Sequence, residues 1–266
     1  MALLRFTILG CGSSGGVPRL GGNWGDCDPA NPKNARRRCS LLIERVTEDG
    51  TTRVLVDTSP DMRAQLLDAG VGALDGVVWT HQHADHVHGL DDLRMIVFNR
   101  RRMLDVWADD ETFEALERRF GYAFETPPGS SYPPILNRHR LDGPIAIEGP
   151  GGPVSVLPIT VNHGDIDALG LRIGDLVYMP DVNAIPERAE WLLSGLKVWI
   201  LDALRRTPHP SHLSLSEAVA WLEHMAPERG ILTNMHVDLD WATVDAETPD
   251  GITPAWDGMV IELPDD

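Results

Sequence analysis

Four side chains able to bind a divalent cation fall within six residues in Thr80-His81-Gln82-His83-Ala84-Asp85-His86. Imidazole and carboxylate donors without thiolate suit zinc best, with manganese or iron as further takers. The preceding segment, Asp75 to Thr80, reads as a buried strand, a short apolar and β-branched run after a turn. The following segment, Gly89 to Phe98, has apolar residues at helical spacing. The cluster therefore sits where a strand runs out into a helix, a place that commonly carries function. On extended backbone His81 and His83 point to the same side. Asp85 and His86 follow as the chain turns and can face a second point, so one short loop can serve two ions. A histidine-rich surface loop is the plain alternative. Three histidines and an aspartate at this spacing, behind an apolar strand, argue for a site instead.

The H-x-H-x-D-H run resembles that of the metallo-β-lactamase-fold hydrolases, and the likeness continues downstream. It implies three further ligands from later loops: His163 in Thr160 to Gly164, Asp181 in Val177 to Asp181, and His236 in Ile231 to His236. Each follows a strand-like run, as a site built on strand ends requires. The opening Ile8-Leu9-Gly10-Cys11-Gly12-Ser13-Ser14-Gly15-Gly16-Val17-Pro18 and the stretch Asp85 to Arg94 are most similar to the phosphoribosyl 1,2-cyclic phosphate phosphodiesterase branch. The likeness covers nearly the whole chain, from residue 3 to residue 262.

That resemblance implies an α/β fold, an αββα sandwich of two mixed β-sheets flanked by helices, formed as a single domain over residues 1–266. It also implies two divalent metal ions, with zinc foremost. His81, His83 and His163 would hold one ion, Asp85, His86 and His236 the other, and Asp181 would bridge. The activity implied is hydrolysis of a small cyclic or nucleotide-like phosphodiester by a metal-bridging hydroxide. His212, in Pro208-His209-Pro210-Ser211-His212-Leu213, matches the branch's histidine that acts on the leaving group. As general acid it would contribute about 10²–10⁴-fold. Asp85 is counted with His212 among the catalytic residues, and His209 is the second choice for the acid. A homodimer is expected by resemblance alone. Two other readings compete, RNA 3′-end processing as in the tRNA 3′-endonuclease branch and a non-hydrolytic binder like the PQQ-carrier relatives. All seven ligand positions are filled, which weighs against the binder.

Composition sets bounds on partners. The 266 residues suffice for a substantial core. The formal charge of −17, from 23 Lys+Arg against 40 Asp+Glu, repels a polyanion and weighs against extended nucleic-acid binding. No apolar run approaches the roughly 20 residues of a membrane span. Arg5 and Thr7 interrupt any signal-peptide core, so cytoplasmic retention is expected. Cys11, Cys27 and Cys39 form no C-x-x-C pair and describe no disulfide framework. In relatives of the phosphodiesterase branch, cysteines near residues 19 to 39 hold a structural zinc. Only Cys27 stands near that place here, so no structural zinc is expected.

The elements that must position these residues are legible in outline. A first strand at Leu3 to Leu9 breaks into the glycine-rich loop Gly10 to Gly16, a candidate phosphate-facing floor. Ser40 to Val46 and Arg53 to Asp57 form a hairpin about Asp49-Gly50. Asp57 either orients a ligand histidine or caps the helix that follows. The run Arg36-Arg37-Arg38 reads as a solvated patch, as does Arg100-Arg101-Arg102. The Pro-rich stretch Thr126 to Pro134 cannot be regular structure and reads as a lid or arm offering Tyr132 to substrate. His88 is a partly exposed helix-start residue, and His139 and His224 are structural or surface residues. Ser214 and Glu217 form a capping box ahead of a helix to Met225.

Overall fold

The computed structural model describes residues 2–265. The chain divides into two compact units: residues 1–9, 40–156 and 260–266 in the first, 10–39 and 157–259 in the second.

The first unit begins with β1 (Ala2–Gly10), β2 (Ser40–Thr47) and β3 (Gly50–Val56), followed by α1 (Met62–Asp68) and β4 (Gly76–Val78). Then come α2 (Ala84–Val87), α3 (Leu93–Arg100), β5 (Leu104–Ala108), α4 (Asp110–Phe120), β6 (Leu136–Arg140) and β7 (Ile145–Ile147). The expected hairpin is present, with β2 antiparallel to β3 and Thr47 opposite Gly50. From β3 onward the pairing is parallel, β3 to β4, β4 to β5 and β5 to β6. Parallel neighbours need crossover connections, and α1, α3 and α4 lie in them. Their apolar faces bury Leu66, Leu93, Ile96, Phe113 and Leu116 in one core with Leu55, Val77, Trp79 and Val106.

The helical spacing over Gly89 to Phe98 resolves into α3 and a preceding 3-10 turn, Leu90–Asp92, with α2 a separate single turn before them. Gly89 lets this segment lie against the end of β3. A Cβ there would meet the Ser59 carbonyl oxygen at 2.1 Å, and the Gly89 amide donates to the Thr58 carbonyl.

The second unit carries β8 (Val154–His163, entered from the first unit), β9 (Ile166–Ile173), β10 (Leu176–Met179), α5 (Glu187–Glu190) and β11 (Val198–Asp202). It continues through α6 (Leu215–Met225), β12 (Arg229–Thr233), α7 (Trp241–Glu247) and β13 (Ile252–Pro254), and β14 (Met259–Asp265) returns the chain to the first sheet. The scheme of the first unit recurs: antiparallel β8, β9 and β10, then parallel β10, β11, β12 and β13. The two seven-stranded sheets are ordered β14-β1-β2-β3-β4-β5-β6 and β13-β12-β11-β10-β9-β8-β7. The capping box forms as the sequence predicts, with Ser214 and Glu217 each bonding the other's backbone amide at the start of α6. No helix among the described residues is long and apolar enough to cross a membrane.

Three sequence expectations need correction. The amides of Cys11, Gly12, Ser13 and Gly16 are bonded to Asp257, Arg37, Met235 and Ser13, so these do not form a free phosphate cradle. Arg36 is not solvated but 2% exposed. Arg100 turns inward, donating to the Leu74 carbonyl and to Asp75. The Thr126 to Pro134 stretch is irregular as expected, and Tyr132 in it is exposed.

Candidate metal centre

Strand ends supply the site. In the first unit, Asp57 follows β3, while Thr80 and His81 follow β4. His83 is the extended N-cap of α2, whose single turn holds Asp85 and His86. The turn expected after His83 is thus helical, and it brings the imidazoles together. The His81 ring centroid lies 4.7 Å from that of His83 and 4.2 Å from that of His86. Asp85 Oδ2 stands 3.7 Å from His86 Nε2.

Asp57 anchors this cluster and does not cap α1, whose N-cap is Asp61. Fully buried, its carboxylate accepts from His86 Nδ1 at 2.7 Å, from the Thr80 amide at 2.8 Å and from Thr80 Oγ1 at 2.9 Å. Burial pushes its pKa up, and the His86 and Thr80 bonds oppose that. The Asp57 backbone is left-handed, at φ 63°, a costly conformation for a residue with a Cβ that is typically kept at functional positions.

The second unit carries a cluster of its own, also built on strand ends. His163 ends β8, Asp181 lies just past β10, Asp202 closes β11, and Asn234 and His236 follow β12. His163, Asp181 and His212 each offer a ligand atom within 4.8 Å of one another. His163 Nδ1 donates to the Ser211 carbonyl at 2.6 Å, and His236 Nδ1 to Asp238 Oδ1 at 3.0 Å. The Arg19 guanidinium contacts His236 Nε2. Burial first, then Arg19, holds the His236 pKa below the ordinary histidine value, with Asp238 opposing. The neutral ring is the form that ligates a metal.

Two residues of this arrangement were not singled out from sequence, Asp202 and Asn234. Asp202 Oδ2 accepts from His212 Nδ1 at 2.8 Å. Asn234 Nδ2 donates to Asp181 Oδ1 at 2.8 Å and to Asp202 Oδ1 at 3.2 Å. Burial lifts the Asp202 pKa to about 7 against the pull of His212. Asn234, like Asp57, is left-handed, at φ 60°. The available signal was an Asp at the end of an apolar strand, Asp202 closing β11 as Asp57 directly follows β3.

The donor set fits divalent metals. In His86, His163 and His236, Nδ1 is bonded to a carboxylate or carbonyl, which leaves Nε2 as the ligating nitrogen, and in His236 that atom is faced by the Arg19 guanidinium. Such Nδ1 bonding is the usual arrangement of metal-ligating histidine. His88, His139 and His224 stand apart from it. His88 is exposed against Phe120, His139 pairs with Asp105 and stacks on Trp107, and His224 packs against Trp221. His209 lies beside His212, at 5.1 Å between ring centroids, its Nδ1 bonded to Ser211.

Residues 52–235 match the family model described as "Beta-lactamase superfamily domain". The chain belongs to the β-lactamase superfamily. Among members of solved structure, one described as a new diphosphatase from the PhnP family shares 34% identity at a TM-score of 0.86, covering 99% of this chain and 98% of its own. A Zn(2+)-bound PqqB from Methylobacterium extorquens shares the fold, with a TM-score of 0.73 at 18% identity, covering 97% of this chain and all of its own. A curated relative from Porphyromonas gingivalis, named octanoyltransferase, is 32% identical over 260 residues. That match takes in 96% of this chain, which spans only about half (51%) of the relative's length. The family, the metallo-β-lactamase fold and the histidine–aspartate cluster together support a metal-dependent hydrolase.

Proposed function

We propose that this chain is a dinuclear metal-dependent phosphodiesterase acting on a small anionic diester, cyclic or nucleotide-like. The observation that carries the reading is the pairing of buried Asp202 with half-buried His212 beside His163 and Asp181. Asp202 holds Nδ1, so His212 presents Nε2, and the carboxylate stabilises the imidazolium that a proton donor has to be. Expelling an alkoxide from a phosphodiester needs such a donor more than opening a lactam or lactone does. The diphosphatase description of the relative at 34% identity supports phosphorus as the electrophile.

In this proposal His81, His83 and His163 would hold one divalent ion and Asp85, His86 and His236 the other, with Asp181 a ligand available to both. When bound, the pair would supply Lewis acidity towards the phosphoryl oxygens and a water acidified from about 15.7 towards about 7. Asp57, the Ser211 carbonyl and Asp238 keep the ligand rings in the Nδ1–H tautomer. Asn234 fixes Asp181 and Asp202 relative to each other, and His212 delivers its proton to the leaving oxygen.

The test is a screen of bis-p-nitrophenyl phosphate, a cyclic ribose phosphate, a lactone and a pre-tRNA, with and without chelator. Diester turnover that chelation abolishes and metal restores is expected. Turnover of none with metal restored would favour a binder, and turnover of pre-tRNA or lactone alone would reject the substrate class. His212→Ala should lower diester turnover about 10²–10⁴-fold at unchanged metal content. Metal loss in that variant would make His212 a ligand rather than the acid.

A further inference from the structure

We infer that Arg36 is a buried positioning residue that sets where His236 stands, by clamping the turn His236 to Leu239 to residues 25–36. The inference rests on the reading of His236 as a metal ligand.

Arg36 is 2% exposed, yet no carboxylate lies within 4.0 Å of its guanidinium among the described residues. Its partners are neutral. Nη2 donates to the Leu239 carbonyl at 2.7 Å and to Asn34 Oδ1 at 3.1 Å. Nη1 donates to the His236 carbonyl at 3.4 Å and lies 3.9 Å from Cys27 Sγ. Nε has no acceptor. Burying a cation without a counter-charge is expensive, and only its hydrogen bonds offset the cost. The planar fork of guanidinium lets one side chain reach both carbonyls of the turn at once.

Neighbouring contacts make this one continuous seam. The Asp26 amide donates to the Val237 carbonyl at 2.9 Å. Gly25, at φ +57°, approaches that same carbonyl so closely that a Cβ would stand 2.5 Å from it. Asn34 accepts from the Trp241 amide at 2.7 Å and donates to Asp240 at 2.6 Å. Lys33 Nζ sits 3.3 Å above the Trp241 ring. Because Asp238, which holds His236 Nδ1, lies inside the clamped turn, ring orientation follows turn position.

Arg36→Met keeps the length of the stem and removes every donor. Arg36→Lys keeps the charge but lacks the planar, longer-reaching fork that meets both carbonyls. The readouts are zinc titration calorimetry and hydrogen exchange of residues 235–240, with His236→Ala as control. Both Arg36 variants should keep the wild-type circular dichroism, exchange faster in that segment and bind one zinc 10–100-fold more weakly, the range for lost outer partners of ligands. His236→Ala should lose the same zinc without the faster exchange. Wild-type protein that takes up no zinc would sink the ligand reading alone and leave exchange to judge Arg36. Zinc affinity within twofold and unchanged exchange in both variants would overturn the inference, as would failure of both to fold.

Discussion

Asp57→Asn is nearly isosteric, yet it cannot satisfy the three donors that Asp57 accepts from. If the amide oxygen takes the Oδ1 position to serve the Thr80 N–H, the NH₂ group faces His86 Nδ1. His86 must then carry its proton on Nε2, the nitrogen needed for a metal. If the amide is flipped, NH₂ meets the buried Thr80 N–H, and a buried backbone donor is left unpaired at about 1–3 kcal/mol. Removing the buried negative charge offsets part of either cost, because burial already disfavours the ionised form. The metal-free fold should therefore lose only a few degrees of Tm. Metal affinity should fall 10–100-fold, about 1.4–2.7 kcal/mol. Zinc titration calorimetry with parallel thermal melts in chelator measures both. Affinity within twofold of wild type would refute the tautomer reasoning, and collapse of the metal-free fold would make Asp57 a structural residue first.

Two further perturbations test the frame around the site. Burial lifts the Asp257 carboxyl from its ordinary 3.8 to about 6, against the pull of Arg37. A carboxyl raised on folding gives stability that is complete below the unfolded value and lost as pH rises through the folded one. That is worth about 2.4 kcal/mol between pH 4 and pH 7. Urea unfolding of wild type and Asp257→Asn across that range should show the wild-type advantage shrinking as pH rises, and a flat or growing advantage would contradict it. Ser214→Ala removes the capping box of α6. It should cost about 1 kcal/mol, read as about 2–4 °C in Tm, and an unchanged melt would show the cap to be idle.

The first unit's metal loop was legible because its donors are contiguous and its flanking strand is an unbroken apolar run. The hairpin about Gly50 and the capping box at Ser214 were legible for the same local reasons. Asp202 and Asn234 were not. Their meaning comes from His212 and Asp181, which are distant in sequence, and a strand ending in Asp carries no sign of its partner. Arg36 was misread because three consecutive arginines look solvated, and nothing nearby announces that the carbonyls of His236 and Leu239 await the first of them. The segment before α3 is broken because Gly89 passes against the Ser59 carbonyl, a close approach that apolar periodicity does not encode.

Metal content bears most directly on the proposal that these imidazoles and carboxylates hold a pair of cations. Protein purified without chelator is analysed for transition metals, stripped, and titrated with zinc. Two ions per chain are expected, one weakened by His81→Ala and the other by His236→Ala. Substoichiometric metal on isolation together with no uptake on titration would contradict it.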